Sequence, residues 1–210
     1  MYSQFKEEKI ILDFFTGFIG NYLDIGAFDG VKGSNTLALS ELGWSGTAIE
    51  ASPWVFERLE KNYKERGLNQ VKLIEAALVP DSYPKKIDFY ETKCISEQFI
   101  GKGVGSLSFT HIEKYKQMFD RTVKTNIIKT EIETISISEV FQYDIFDFMS
   151  IDVEDFNLEI LVSIPWHKLQ NLKLFCIEVD AHVHRIVNFM KPLGWNFFIR
   201  EDCNLFFKRN

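Results

Sequence analysis

The chain has 210 residues, 46% hydrophobic and 26% charged, which predicts one globular domain over 1–210 with a core large enough to fold alone. A net charge of −6 opposes phosphate backbones and argues against general nucleic-acid binding. The basic residues of KNYKER (61–66), Lys114 and Lys116 read as solvated helix faces. Cys94, Cys176 and Cys203 stand far apart without a CxxC pair, so no zinc or dithiol motif is present and a reducing compartment is expected. No apolar run reaches the roughly 18 residues of a membrane span, and the charged start MYSQFKEEKI does not follow a secretory leader pattern. The expectation is a soluble, cytoplasmic protein.

Phe5, Ile11, Phe14, Phe15 and Phe18 predict an amphipathic first helix within 1–20, ending near Gly17 or Gly20. Its phenylalanines are also the surface expected to meet a second copy in a homodimer. NYLDI (21–25) is a strand. Ser34 or Asn35 caps a helix that Gly43 stops. GTAIE (46–50) is a second strand, Pro53 opens a helix that Gly67 closes, and VKLIEAAL (71–78) is a third strand. Strands alternating with helices predict a parallel sheet with right-handed crossovers.

The middle is less regular. KIDFYE (86–91) and the β-branched run at 123–137 read as strands, with SEVFQ a short helix after them. CISEQFIGKGVGSLSF (94–109) reads as a loop, and 92–130 as a substrate-specificity insertion. The alternation resumes with FDFMSIDVED (146–155), a helix near 156–164, LKLFCIEVD (172–180) and a helix near 182–192. WNFFIRED and NLFFKRN form a closing antiparallel hairpin. The fold class is therefore α/β, a mostly parallel seven-stranded sheet with helices on both faces.

Chemistry concentrates in the first strand–turn–helix, YLDIGAFDGVKGSNT (22–36). A dinucleotide fingerprint needs G-x-G-x-x-G for close approach of a pyrophosphate. Gly26 supplies the first glycine, but Phe28 occupies the second position. Asp24 and Asp29 would repel a pyrophosphate by about 1–4 kcal/mol at 4 Å, depending on the local dielectric. There is no phosphate-binding G-x-x-x-x-G-K-[ST] either. A phosphate-free cofactor with an ammonium and a sulfonium suits the turn, which describes S-adenosylmethionine. Gly26 lets backbone pass close to it. Asp24 or Asp29 meets the ammonium, and Ser34, Asn35 and the helix start receive the carboxylate. Glu50, ending the second strand, accepts from the ribose hydroxyls. Ala51 and Ser52 lie beside the ribose, and Ala76 and Ala77 leave room for adenine.

Two later strands end in acids: Asp152, Glu154 and Asp155, then Glu178 and Asp180. In an open parallel sheet both sets emerge at the carboxyl edge, beside the cofactor. Clustered carboxylates need a cation, a proton or a positive ligand among them. Asp152, Glu178 and Asp180 are candidate ligands for Mg²⁺ or Mn²⁺, able to hold a diol and acidify one hydroxyl. The alternative is that they bind acceptor hydroxyls or cap the following helices. His182 is a candidate general base beside Asp152; His111 and His167 read as structural.

LDIGAFDGVKGSNTLALSELGWSGTAIEASPWVFERLEKN, then FDFMSIDVEDFNLEILVSI and LFCIEV, resemble the FkbM-type S-adenosylmethionine-dependent methyltransferases. The resemblance implies a seven-stranded class I, Rossmann-like methyltransferase fold and methyl transfer to oxygen, often a sugar hydroxyl, in line with the sulfonium. Its likeness to metal-dependent sugar O-methyltransferases supports the metal. One position departs: the family usually has glycine after the acid of the fourth strand, as in DVEG, where this chain has Asp155. The acceptor is expected to be a small molecule or glycan; a lipid, peptide or polyketide hydroxyl is the alternative. The nucleic-acid amino-methylating motif Asn/Asp-Pro-Pro-aromatic is absent, Phe28 disfavours an oxidoreductase, and a non-catalytic S-adenosylmethionine-binding module is the rival from another class.

Overall fold

A computed structural model describes residues 1–94, 104–120, 125–142, 145–179 and 183–209. Helix α1 (Glu7–Phe14) precedes β1 (Asn21–Ile25), α2 (Leu37–Glu41), β2 (Ser45–Glu50), α3 (Pro53–Glu65) and β3 (Val71–Glu75). Helix α3 shows how closely local chemistry sets these elements. The Ser52 side chain caps it by accepting from Val55 N, Pro53 occupies its first turn, and Val55, Phe56, Leu59 and Tyr63 form its buried stripe.

The middle of the chain holds β4 (Ala77–Val79), β5 (Lys86–Cys94), β6 (Gly105–Ser106), α4 (Phe109–Phe119), β7 (Thr125–Ser136) and α5 (Ile137–Val140). It is more ordered than the sequence suggests. The predicted strand 71–78 breaks at Ala76: β3 stays in the main sheet, while β4 pairs with β7 in a second, four-stranded sheet of order β4-β7-β5-β6. Part of the predicted loop 94–109 is strand β6, and α4 follows it, capped by the Ser108 side chain accepting from His111 N. Positions 95–103 of that loop lie outside the described residues.

Strand β8 (Phe148–Ile151), α6 (Asn157–Ser163), β9 (Leu174–Glu178), α7 (Val183–Met190), a 3-10 turn, β10 (Asn196–Glu201) and β11 (Asn204–Lys208) complete the chain. The main sheet has seven strands in the order β10-β11-β9-β8-β1-β2-β3. β1, β2, β3, β8 and β9 are parallel, and β11 runs antiparallel between β9 and β10. This is the expected sheet with its closing hairpin. Successive side chains on a strand face opposite sides, and the core divides accordingly. Met149, Ile151, Phe175 and Ile177 pack with α5, α6 and α7; Phe148, Leu174 and Cys176 pack with α1, α2 and α3. Burying a side chain of this size contributes about 1.5–3 kcal/mol, so both faces are strongly driven to carry helices. Among the described residues no helix is long and apolar enough to cross a membrane.

Candidate active site

The strand order places β1 and β8 side by side at the centre of the sheet, and a cavity of about 390 Å³ opens at their carboxyl ends. Asp24, Gly26, Phe28, Ser34, Asn35, Glu50, Ala51, Ser52, Ala76, Ala77 and Asp152 all line it. The structure therefore brings together in one cleft nearly every residue singled out from the sequence for cofactor binding.

Glu50 is the best-fixed group. Phe28 N donates to its Oε2 at 2.9 Å and Ser52 N to its Oε1 at 2.8 Å. Burial pushes its carboxyl up to about 7, with these backbone hydrogen bonds opposing the shift. Phe28 presents its N–H because it sits at φ 52, a left-handed conformation that an L-residue holds only when its surroundings fix it. Where a dinucleotide site would have glycine, this chain bends the same way with an aromatic. Asp24 is buried, accepts from Thr36 Oγ1 at 2.6 Å, and is pushed up by burial to about 6.

The segment that follows differs from its expected role. Helix α2 has five residues, and Ser34 Oγ already accepts from Leu37 N at 3.1 Å and Thr36 N at 3.3 Å. Those N–H groups are taken by Ser34, and the N-cap position of α2 itself is Thr36. Asn35 retains capacity for a ligand: its Nδ2 lies 3.2 Å from Ser150 Oγ, and its buried Oδ1 has no protein partner. Asp29 is turned into the turn itself. Its Oδ1 accepts from Val31 N and Lys32 N at 3.0 and 2.8 Å, and its Oδ2 pairs with Arg58 at 3.0 Å. It is the one expected cofactor contact not on the cavity wall.

On the opposite side, Asp152 faces the cleft and is hydrogen-bonded to Glu178. Enclosure by protein, then the neighbouring Glu178 and Glu154 charges, hold the Asp152 carboxyl well above the ordinary range. Asp152 still has open surface towards the cleft. Among the described residues no group of three or more His, Cys, Asp or Glu is arranged to hold a metal ion. Asp180 and His182, the third candidate ligand and the candidate base, lie outside the described residues.

Several cavity residues had no recognisable signal in the sequence. The middle segment contributes Phe89, Glu91, Val104, Gly105, Ser106 and Leu107 as a second wall. Ser52 Oγ donates to Glu91 at 3.2 Å, and burial raises the Glu91 carboxyl. Ser106 Oγ donates to the Glu154 carbonyl at 2.8 Å, and His111 Nε2 lies 3.1 Å from Glu154 Oε2. His111, which read as merely structural, thus braces an acid of the cleft. Glu154 and Asp155 are both left-handed, at φ 42 and 63.

The model of the methyltransferase FkbM domain matches residues 24–194. No curated protein matches the chain in sequence. Among solved structures, the delta-N METTL16 methyltransferase domain superposes with a TM-score of 0.53 at 12% identity, over 97% of this chain and 80% of that one. Precorrin-6y C5,15-methyltransferase from Geobacter metallireducens GS-15 gives 0.53 at 12% identity, over 95% and 83%. Sp1610 of Streptococcus pneumoniae, a candidate tRNA (m1A22) methyltransferase, gives 0.53 at 12%, over 100% and 71%. At these identities the likeness is one of fold.

Proposed function

The chain belongs to the FkbM methyltransferase domain family, and from that premise we propose that it is an S-adenosylmethionine-dependent O-methyltransferase acting on a hydroxyl of a small molecule or glycan, most plainly a sugar. The observation that carries the reading is a single cleft walled on one side by Asp24, Asn35 and the clamped Glu50, and on the other by Asp152. The first group suits the cofactor and the second the acceptor.

The residues present fit S-adenosylmethionine. Backbone N–H groups of Phe28, Ala51 and Ser52 hold the Glu50 carboxylate, whose two oxygens offer about four acceptor positions and so keep capacity for a ribose hydroxyl. The orphaned Asn35 Oδ1 is a buried acceptor in search of a donor, which an ammonium group supplies. Ala76 and Ala77 leave a small-residue wall where a flat ring can lie. The cofactor supplies an electrophilic methyl group on sulfur. Asp152 takes the proton of the acceptor hydroxyl, a role suited to a carboxyl held above the ordinary carboxylate range in the cleft. Glu178 fixes the Asp152 carboxyl through its hydrogen bond, while Glu154, braced by His111, lines the acceptor side. Alignment of the two reactants in one walled cleft accounts for much of the acceleration. His182 remains a candidate second base, and Mg²⁺ or Mn²⁺ held by Asp152, Glu178 and Asp180 a candidate aid to hydroxyl activation.

The test is transfer of a labelled methyl group from S-adenosylmethionine to a panel of oligosaccharides, simple diols and RNA, with and without Mg²⁺ or Mn²⁺. Label in a base-stable methyl ether of a glycan supports the reading. Label in RNA bases alone would replace it, and binding of the cofactor without transfer to any member would favour a non-catalytic binding module.

A further inference from the structure

The six residues ahead of α1 lie outside the matched family region, yet one of them, Gln4, lines the cleft. Ser3 forms an isolated parallel bridge with Gly33, Gly33 N donates to Tyr2 O at 2.9 Å, and the Tyr2 hydroxyl donates to Glu41. At the other end Glu7 is completely buried. Its Oε1 accepts from Asn204 Nδ2 on β11 at 3.0 Å, and its Oε2 from Phe5 N at 2.8 Å. Glu8 Oε2 accepts from Tyr2 N at 2.6 Å, and Ser3 Oγ accepts from Glu8 N at 3.1 Å. A carboxylate without surface exposure is costly unless hydrogen-bonded, so the Glu7 contacts hold the segment firmly to the body of the protein. Between these two anchors sits Gln4. Its side chain takes no part in the anchoring bonds, and it lines the cavity beside Gly33, Ser34 and Asn35.

We propose that segment 1–6 is a fixed strap over the cofactor cleft and that Gln4 binds the amino-acid end of S-adenosylmethionine. The proposal rests on the reading of this cleft as the S-adenosylmethionine site. Gln4 follows Ser3, which is bridged to Gly33, so it enters the cavity from the turn that carries Ser34 and Asn35. Its amide carries two donors and one acceptor, and the methionine end of the cofactor carries both an ammonium and a carboxylate. A neutral amide can meet either charge without a second charge having to be desolvated. The strap is pinned before any ligand arrives, so little ordering cost is added on binding.

The test is calorimetric titration of wild type and Gln4→Ala with three ligands: S-adenosylmethionine, S-adenosylhomocysteine and 5′-methylthioadenosine, which lacks the amino-acid end. The expected result is that Kd rises about tenfold for the first two, the size of one hydrogen bond to a charged group, and stays unchanged for methylthioadenosine. Equal losses for all three ligands, or no loss for any, would overturn the role of Gln4 while leaving the cofactor reading intact. Wild type that binds none of the three would overturn both. Gln4 is exposed, so Gln4→Ala is expected to fold, and an unchanged thermal midpoint without ligand verifies it.

Discussion

A methyl group placed on Gly26 would lie 1.7 Å from the carbonyl oxygen of Asp152. The two residues directly follow the neighbouring strands β1 and β8, and their contact is where the cofactor side of the cleft meets the acceptor side. Gly26 N and Ala27 N both donate to Ile49 O at 3.0 Å, and Asp152 N donates to Ile25 O at 2.9 Å. Three strand ends are thereby knitted together. The glycine is required by this knot, at φ 84, before any ligand approaches it.

Gly26→Ala therefore costs stability as well as binding. The left-handed conformation alone costs an L-residue about 1–2 kcal/mol, and relief of the clash requires the β8 end to move. A loss of about 3 kcal/mol or more is expected, read as a lowered denaturant midpoint in the absence of ligand. A midpoint equal to wild type would show that β8 yields without cost.

Asp155 tests the opposite case. At φ 63 it occupies the conformation that glycine adopts freely. Asp155→Gly is expected to raise stability by about 1 kcal/mol, measured by denaturant unfolding. A loss would mean that the 3.8 Å approach of its carboxylate to His111 Nδ1 outweighs the backbone strain.

The buried carboxyls set a pH dependence. Glu50 and Asp24 are raised to about 7 and about 6 from 4.5 and 3.8, so the folded protein holds their protons more tightly than the unfolded chain. Their contribution to ligand-free stability is fully present below about pH 4 and is lost as pH rises towards about 7. An ionised Glu50 is the better acceptor for ribose hydroxyls, so cofactor binding should tighten over pH 6 to 8 with proton release. Glu50→Gln should flatten both slopes and weaken binding about tenfold or more. Thermal midpoints and calorimetry in two buffers of different ionisation enthalpy read both effects.

Asp152→Asn keeps shape and removes the base. With an acceptor in hand, turnover is expected to fall about 10²–10⁴-fold while S-adenosylmethionine still binds. Unchanged turnover would transfer the role of base to another residue, such as Glu154 or His182.

The main sheet was legible because its strands are short apolar runs ended by glycine, proline or acids, and because helices with readable caps separate them. Glu50, Gly26 and Asn35 were legible for the same reason: strand ends and the turns after them converge on one edge. The middle was not. Ala76 and Ala77 continue the apolar run of β3 without punctuation, so the step from one sheet to the other left no local mark. His111 and Ser106 meet Glu154 only through tertiary folding, which gives no periodic signal, and Gln4 is an unremarkable polar residue whose place follows from the buried Glu7–Asn204 pair. Asp29 was expected to meet the ammonium, but its carboxylate is taken up by the turn and by Arg58, a pairing that depends on α3 folding back over the turn.

The most direct measurement is calorimetric titration of the purified protein with S-adenosylmethionine and, separately, with NAD, repeated on Glu50→Ala. Binding of S-adenosylmethionine but not NAD, weakened at least about tenfold by the substitution, is the expected result. No binding of S-adenosylmethionine at millimolar concentration, or binding unaffected by loss of Glu50, would contradict the assignment of this cleft.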